Sequence, residues 1–223
     1  MIRTFLAVEP AEDLRTQIAQ AQQDLKKQLS CESSKDIRIA WVQPASIHLT
    51  ITFLGNTDKP LIEPIRHAIE QVMTGHRAFR IPIERLGVFP RLQQPRVMWV
   101  GASESWERGT DGTRLVALHR AIEACCRSFG FVSEGKPLSP HLTLARIKAG
   151  DRQVGMALAK IGALDQPMVV GSLAINAITL MKSQLRPTGP VYTKLWEARL
   201  AGGEGPGSVN PAPSIDTNRS DTP

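Results

Sequence analysis

The stretches SIHLTITFL (residues 46–54) and HLTLARIK (residues 141–148) carry the same tripeptide, His48-Leu49-Thr50 and His141-Leu142-Thr143, each followed by an apolar residue. In both, apolar and polar positions alternate, the period-two pattern of a strand with one buried face. Ile47, Leu49, Ile51 and Phe53 are assigned to the buried face of the first stretch, and His48, Thr50 and Thr52 to the other. In the second, Leu142 and Leu144 anchor the strand while His141 and Thr143 project together from the opposite side. Arg146 lies five residues after His141, an offset that nominally places it on the buried side. A bulge, a twist or a long reach round the strand end is needed to bring it beside the histidine. One such tripeptide is weak evidence, since a half-solvated sheet face can carry His and Thr by chance. Two in matching contexts are harder to dismiss.

Working outward, residues 2–8 read as a strand, and residues 11–29, free of Gly and Pro, as a helix. A short strand at 37–42 precedes the first motif, and Gly55-Asn56 reads as the turn that ends it. Helical spacing follows over 61–73, alternation over 78–88, and a compact strand at 96–100. The next helix, 113–129, presents Leu115, Leu118, Ile122 and Cys125 or Cys126 on one face. After the second motif, Asp151 is read as the N-cap of a helix to residue 161, and residues 169–181 and 191–200 as strands. Each half of the chain thus holds one His-Leu-Thr strand. The predicted fold is α+β and bilobal: two antiparallel sheets related by a pseudo-repeat, with helices packed outside.

The 223 residues carry 27 Lys and Arg against 21 Asp and Glu, a net charge of +6. Residues 201–223 hold Glu204, Asp216 and Asp221 against Arg219, so the preceding body is the basic part, at +8. A basic body suits nucleic acid or phosphate esters but is also compatible with an ordinary solvated surface. The last 23 residues, rich in Gly, Pro and Ser, read as a disordered tail behind a single 1–200 domain. The Gly203–Ser208 run lacks the lysine of a phosphate-binding loop. Three cysteines, Cys31, Cys125 and Cys126, make no disulfide framework and read as reduced thiols. With no signal-like or membrane-length apolar run, a cytoplasmic protein is expected.

Two opposed histidines suit in-line cleavage of a phosphodiester, where a base serves the attacking oxygen and an acid the leaving one. Imidazole titrates near ~6.5, so one ring can be neutral while the other is protonated. Threonine hydroxyls beside them can donate to the non-bridging phosphate oxygens. His67, His76 and His119 share no metal-ligand spacing and are read as ordinary surface or half-buried residues. No nucleophile elbow and no His-Glu-x-x-His pair occurs. Trp41, Trp99, Trp106 and Trp196 can stack a base, but most of them are assigned to core packing.

The paired His-x-Thr-apolar motifs resemble those of the 2H phosphoesterase superfamily, and within it the RNA 2′,3′-cyclic phosphodiesterases, historically called 2′-5′ RNA ligases. The likeness covers most of residues 1–200 through IRTFLAVEP, WVQPASIHLTITFLG, RVMWVGA, SPHLTLARIK and KSQLRPTGPVYTKL. The resemblance implies a groove between two lobes and no metal or nucleotide cofactor. It also implies opening of terminal RNA 2′,3′-cyclic phosphates to 2′-phosphomonoesters. By the same likeness His48 is the proton donor and His141 the proton acceptor, with Thr50, Thr143 and Arg146 binding substrate. The implied partners are RNA ends carrying a 2′,3′-cyclic phosphate, tRNA fragments among them, with no membrane and no metal; a monomer is expected. A 2′-5′ RNA ligase, a phosphodiesterase acting on another small cyclic phosphate, and a non-catalytic RNA-end-binding module remain open.

Overall fold

The computed structural model describes residues 1–30, 37–132, 135, 137–186 and 189–202. Cys31, the Gly203–Ser208 run and nearly all of the expected tail lie outside the described residues.

The strands are β1 (Ile2–Val8), β2 (Arg38–Trp41), β3 (Leu49–Thr57), β4 (Phe79–Ile83), β5 (Arg85–Phe89), β6 (Val97–Gly101), β7 (Leu142–Ala149), β8 (Gly171–Ile175), β9 (Ala177–Arg186) and β10 (Gly189–Arg199). The helices are α1 (Glu12–Ser30), α2 (Ile62–Thr74), α3 (Glu104–Glu107), α4 (Thr110–Ser128) and α5 (Asp151–Lys160). The main sheet runs β10-β9-β1-β3-β7-β6-β5, with β2 also paired to β7, and all of its pairings are antiparallel. It consists of two four-stranded halves, β10-β9-β1-β3 and β2-β7-β6-β5. Among the described residues these halves meet through one register pair, Leu49 opposite Leu142. A small second sheet pairs β4 with β8. The predicted α+β architecture of antiparallel sheets backed by helices is therefore present.

Amphipathic spacing explains the helices. Leu14, Ile18, Gln22, Leu25 and Leu29 recur every three or four residues along α1 and are all buried. Glu12 and Asp13 lie in its first turn and Lys27 in its last, each complementing the helix dipole. Ile65, Ile69 and Met73 do the same for α2, as do Leu115, Leu118, Ile122 and Cys126 for α4. These stripes close over one face of the main sheet in a single core that includes Leu6, Leu49, Ile51, Met98, Leu142 and Leu144. The other face carries a smaller apolar cluster, Phe5, Ala7 and Met181 with Tyr192 against it. The His and Thr of both His-Leu-Thr tripeptides lie on that second face, whereas Thr52, expected beside them, pairs with Leu6 of the main core.

Several sequence expectations need correction. Gly55-Asn56 does not end the first motif strand; β3 continues to Thr57, and Gly55, at φ 72°, follows an irregularity in its pairing with β1. Phe53 is not on the buried face; it pairs with Phe5 on the open side and is 51% exposed. Residues 78–88 and 169–181 are not single strands. Each breaks, at Glu84 and Asn176, into one strand of the main sheet and one of the small sheet. Alternation runs on through such a switch, so periodicity does not reveal it. The N-cap of α5 is Gly150 rather than Asp151, which is the first helical residue; its carboxylate accepts from the Arg152 amide and pairs with Arg96. Of the paired cysteines it is Cys126 that is buried; Cys125 is half-buried, and both are free thiols. His119 is buried, with its Nε2 3.7 Å from Glu123. Trp99 and Trp196 are buried, whereas Trp41 and Trp106 are only half so.

Candidate active site at the junction of the two half-sheets

Leu49 and Leu142 are antiparallel partners, and each is flanked by the His and Thr of its motif. Continued outward, that register sets His48 toward Thr143 and His141 toward Thr50, all four on the face away from the leucines. The two halves thus bring the motifs together crosswise. Electrostatics agree with the proximity, because the charge of His141 acts on His48, and that of Arg146 on both rings.

The two imidazoles are held alike. Nδ1 of His48 lies 2.8 Å from the Ser46 carbonyl and Nδ1 of His141 lies 2.7 Å from the Ser139 carbonyl. A carbonyl oxygen only accepts, so Nδ1 carries the proton in both and Nε2 is left to receive or deliver one. Aromatic rings fix the planes. Phe5 lies 4.8 Å from His48, and Tyr192 meets it edge-on at 5.0 Å. Phe89 meets His141 edge-on at 5.0 Å, with Trp99 at 6.1 Å.

The bulge that Arg146 requires is present. Trp99 pairs with Thr143 and Met98 with Ala145, so Leu144 has no partner on β6 and the alternation slips by one. Leu144, Ala145 and Ile147 are all buried, and Arg146 emerges exposed on the face of Thr143. The Leu144 carbonyl accepts from the Val42 amide at 2.9 Å and from Nε2 of buried Gln22 at 2.9 Å. The same Gln22 nitrogen donates to the Val42 carbonyl at 2.9 Å. The other half repeats the device: Ala7 pairs with Thr50 and Leu6 with Thr52, leaving Ile51 as the extra residue.

The chain matches the family model described as LigT like Phosphoesterase over residues 8–99 and 110–192. An RNA 2′,3′-cyclic phosphodiesterase of Methanothermobacter thermautotrophicus is 33% identical over 199 residues, 89% of this chain and 99% of the relative. The crystal structure of TT0787 of Thermus thermophilus superimposes with a TM-score of 0.68 at 25% identity, covering 91% of this chain and all of that one. E. coli LigT in apo form shares the fold with a TM-score of 0.66 at 22% identity, over 89% and 97% of the two chains. This chain belongs to the LigT-like phosphoesterase family. It is an enzyme of the hydrolase class.

In this LigT-like phosphoesterase both histidines lie below the ordinary imidazole pKa, chiefly because burial penalises the charged ring. The carbonyls of Ser46 and Ser139 oppose that effect, and Arg146 adds to it. Two differences separate them, and they oppose each other: the charge of His141 lowers His48 with no reciprocal effect on His141, and Glu9 acts the other way. At His48 the Glu9 carboxylate raises the pKa, while at His141 the further contributions are the Ser139 carbonyl and Arg146. Glu9 is itself anchored by Lys194 Nζ at 2.9 Å and Arg15 at 3.4 Å.

Sequence reading brought His48, Thr50, His141, Thr143 and Arg146 to one place, as the structure does. It passed over Phe5, Glu9, Gln22, Phe89 and Tyr192, which reach the site from other elements, and it read Trp99 as packing or base stacking without linking it to His141. Gly87 shows why those positions matter: it is the cross-strand partner of Trp99, and a Cβ there would lie 2.1 Å from the indole. The absent side chain lets the indole pack over β5 beside His141, to which it is tilted by 60°. His67, His76 and His119 lie elsewhere, on α2, beyond its end and on α4. Among the described residues no three His, Cys, Asp or Glu side chains gather in a way that could hold a metal ion, and no helix is long and apolar enough to cross a membrane.

Proposed function

We propose that this chain hydrolyses 2′,3′-cyclic phosphate ends of RNA to 2′-phosphomonoesters, with residues 1–200 acting as one catalytic domain and no metal taking part. The observation that carries the reading is the crosswise meeting of two His-x-Thr elements, each with Nδ1 tied to a carbonyl and Nε2 free. Nε2 of His141 takes a proton from water as the water oxygen bonds to phosphorus. The P–O3′ bond breaks, and His48 gives its Nε2 proton to the departing 3′ oxygen. Thr50, Thr143 and Arg146 hold the non-bridging oxygens, where the charge must be borne. The Glu9 carboxylate favours a protonated His48, which supports His48 as the acid and His141 as the base. The name carried by the Methanothermobacter relative supports the same substrate.

The test is incubation of the full chain with adenosine 2′,3′-cyclic phosphate in EDTA, with the two monophosphate products resolved. Adenosine 2′-monophosphate is the expected product. Activity that chelation abolishes would refute the metal-free chemistry. A 3′-monophosphate would reverse the leaving oxygen and with it the two histidine roles.

A further inference from the structure

The carbonyl that holds the Nδ1 proton of His48 belongs to a short turn, not to a strand. Ser46 ends the three-residue 3-10 turn Pro44–Ser46, which lies between β2 and β3. The Ser46 amide donates to the Gln43 carbonyl at 2.8 Å, and the Ile47 amide to the Pro44 carbonyl at 3.1 Å. Two bonds of this tight, poorly aligned kind leave the position of the turn to be set from outside.

Arg15, in the first turn of α1, reaches it. Its guanidinium spans three acceptors. Nε donates to the Pro10 carbonyl at 2.8 Å, Nη1 to the Ala45 carbonyl at 2.8 Å, and Nη2 to Oε1 of Glu9 at 3.4 Å. Glu9 and Pro10 directly follow β1, whose last residue, Val8, is paired with Leu49 of β3. The bond to Pro10 would suffice to anchor α1 to the sheet. The bond to Ala45 goes further, because it fixes the residue immediately before Ser46. The same cation also holds Glu9, the carboxylate whose charge acts on His48. Only a planar fork can meet three acceptors in fixed directions; an ammonium group is a point charge.

We propose that Arg15 is the positioning residue of the proton donor: it seats the Ala45-Ser46 turn so that the Ser46 oxygen keeps the Nδ1 proton of His48 and Nε2 is left to face the departing oxygen. The proposal rests on His48 acting as the acid of the proposed reaction. Arg15 itself touches no substrate; it works through Ser46 and Glu9.

The experiment reads the ring nitrogens by NMR on the full chain, isotopically labelled at histidine, at alkaline pH where both rings are neutral. His48→Gln and His141→Gln assign the signals. In the wild type each ring is expected to carry its proton on Nδ1. Arg15→Ala should move His48 toward the Nε2-protonated tautomer and leave His141 unchanged, since the Ser139 carbonyl takes no part in the Arg15 contacts. In parallel, kcat on adenosine 2′,3′-cyclic phosphate should fall by up to about 10²-fold with KM little altered, as for a misplaced reacting group. Arg15→Gln, which keeps one shorter donor, should act in the same direction, and it carries the test if thermal melting shows Arg15→Ala unfolded. An unchanged His48 tautomer in a folded variant overturns the proposal. So does an equal change at both histidines, which would mark a general loosening of the fold. A wild type that hydrolyses no cyclic phosphate, yet loses the His48 tautomer alone on substitution, would support the positioning role while refuting the proposed reaction.

Discussion

Leu49 and Leu142 form the register pair that joins two four-stranded half-sheets, and their side chains point into the common core while the flanking histidines and threonines point out of it. The site is therefore registered by a hydrophobic contact on its reverse side. Leu49→Ala and Leu142→Ala each remove a fully packed side chain and should cost about 2–5 kcal/mol in denaturant unfolding. Leu49→Met, close in volume, should cost less than about 1.5 kcal/mol.

Replacing either histidine tests the acid and base directly. His48→Ala and His141→Ala should each lower kcat about 10²–10⁴-fold, the span usual for a lost general acid or base. Steady-state kinetics on a nucleoside 2′,3′-cyclic phosphate would show it. A variant within a few-fold of wild type would remove that ring from the chemistry.

The pH profile follows from burial. Both rings titrate below the ordinary value near ~6.5, so kcat/KM should peak on the acid side of it, with two macroscopic limbs that belong to the pair. Stability carries the same sign. Above ~6.5 the rings are neutral in the folded and unfolded chains alike and contribute no slope. Below it the unfolded chain takes up protons first, so stability falls until the depressed folded pKa values are passed. Urea titrations between pH 7 and 5 should show this loss, and a His48→Gln, His141→Gln double variant should show less of it.

Arg146 should act on substrate affinity. Loss of a charged hydrogen-bond donor to phosphate costs about 1.5–3 kcal/mol, so Arg146→Ala should raise Kd for adenosine 2′-monophosphate by roughly 10- to 150-fold. Arg146→Lys keeps the charge without the fork and should fall between.

Gln22 holds the carbonyl at the bulge that presents Arg146, so its effect should pass through that residue. Gln22→Met should weaken nucleotide binding in the wild-type background and add little in Arg146→Ala. The double-mutant cycle reads this coupling directly. Strictly additive losses would make Gln22 a matter of packing alone.

How much of this was legible in the sequence depended on distance along the chain. The tripeptides, the α1 and α2 stripes and the strand character of both motifs are local patterns and could be read. The bulges could not, although adjacent Leu144 and Ala145, two apolar residues in a row within an alternating strand, were a signal that the phase slips there. In the first half the apolar doublet, Phe53-Leu54, comes after the slip: Leu49, Ile51 and Phe53 alternate straight through it, and the pairing with β1 shows that Phe53 has turned outward. Tyr192, Glu9 and Gln22 reach the site from β10, the end of β1 and α1, and no spacing rule connects them to a histidine in another strand.

The carbonyls of Ser46 and Ser139 have one more effect. By holding the Nδ1 proton of each ring they make the two imidazoles chemically interchangeable, each offering the same nitrogen in the same tautomer. A pair so matched has no built-in direction for proton flow. In the proposed reaction the direction is then set by polarity from outside the rings, by Glu9 on one flank and by the way round in which the nucleoside is seated. A near-symmetric scaffold thereby leaves the choice of leaving oxygen to its least symmetric parts.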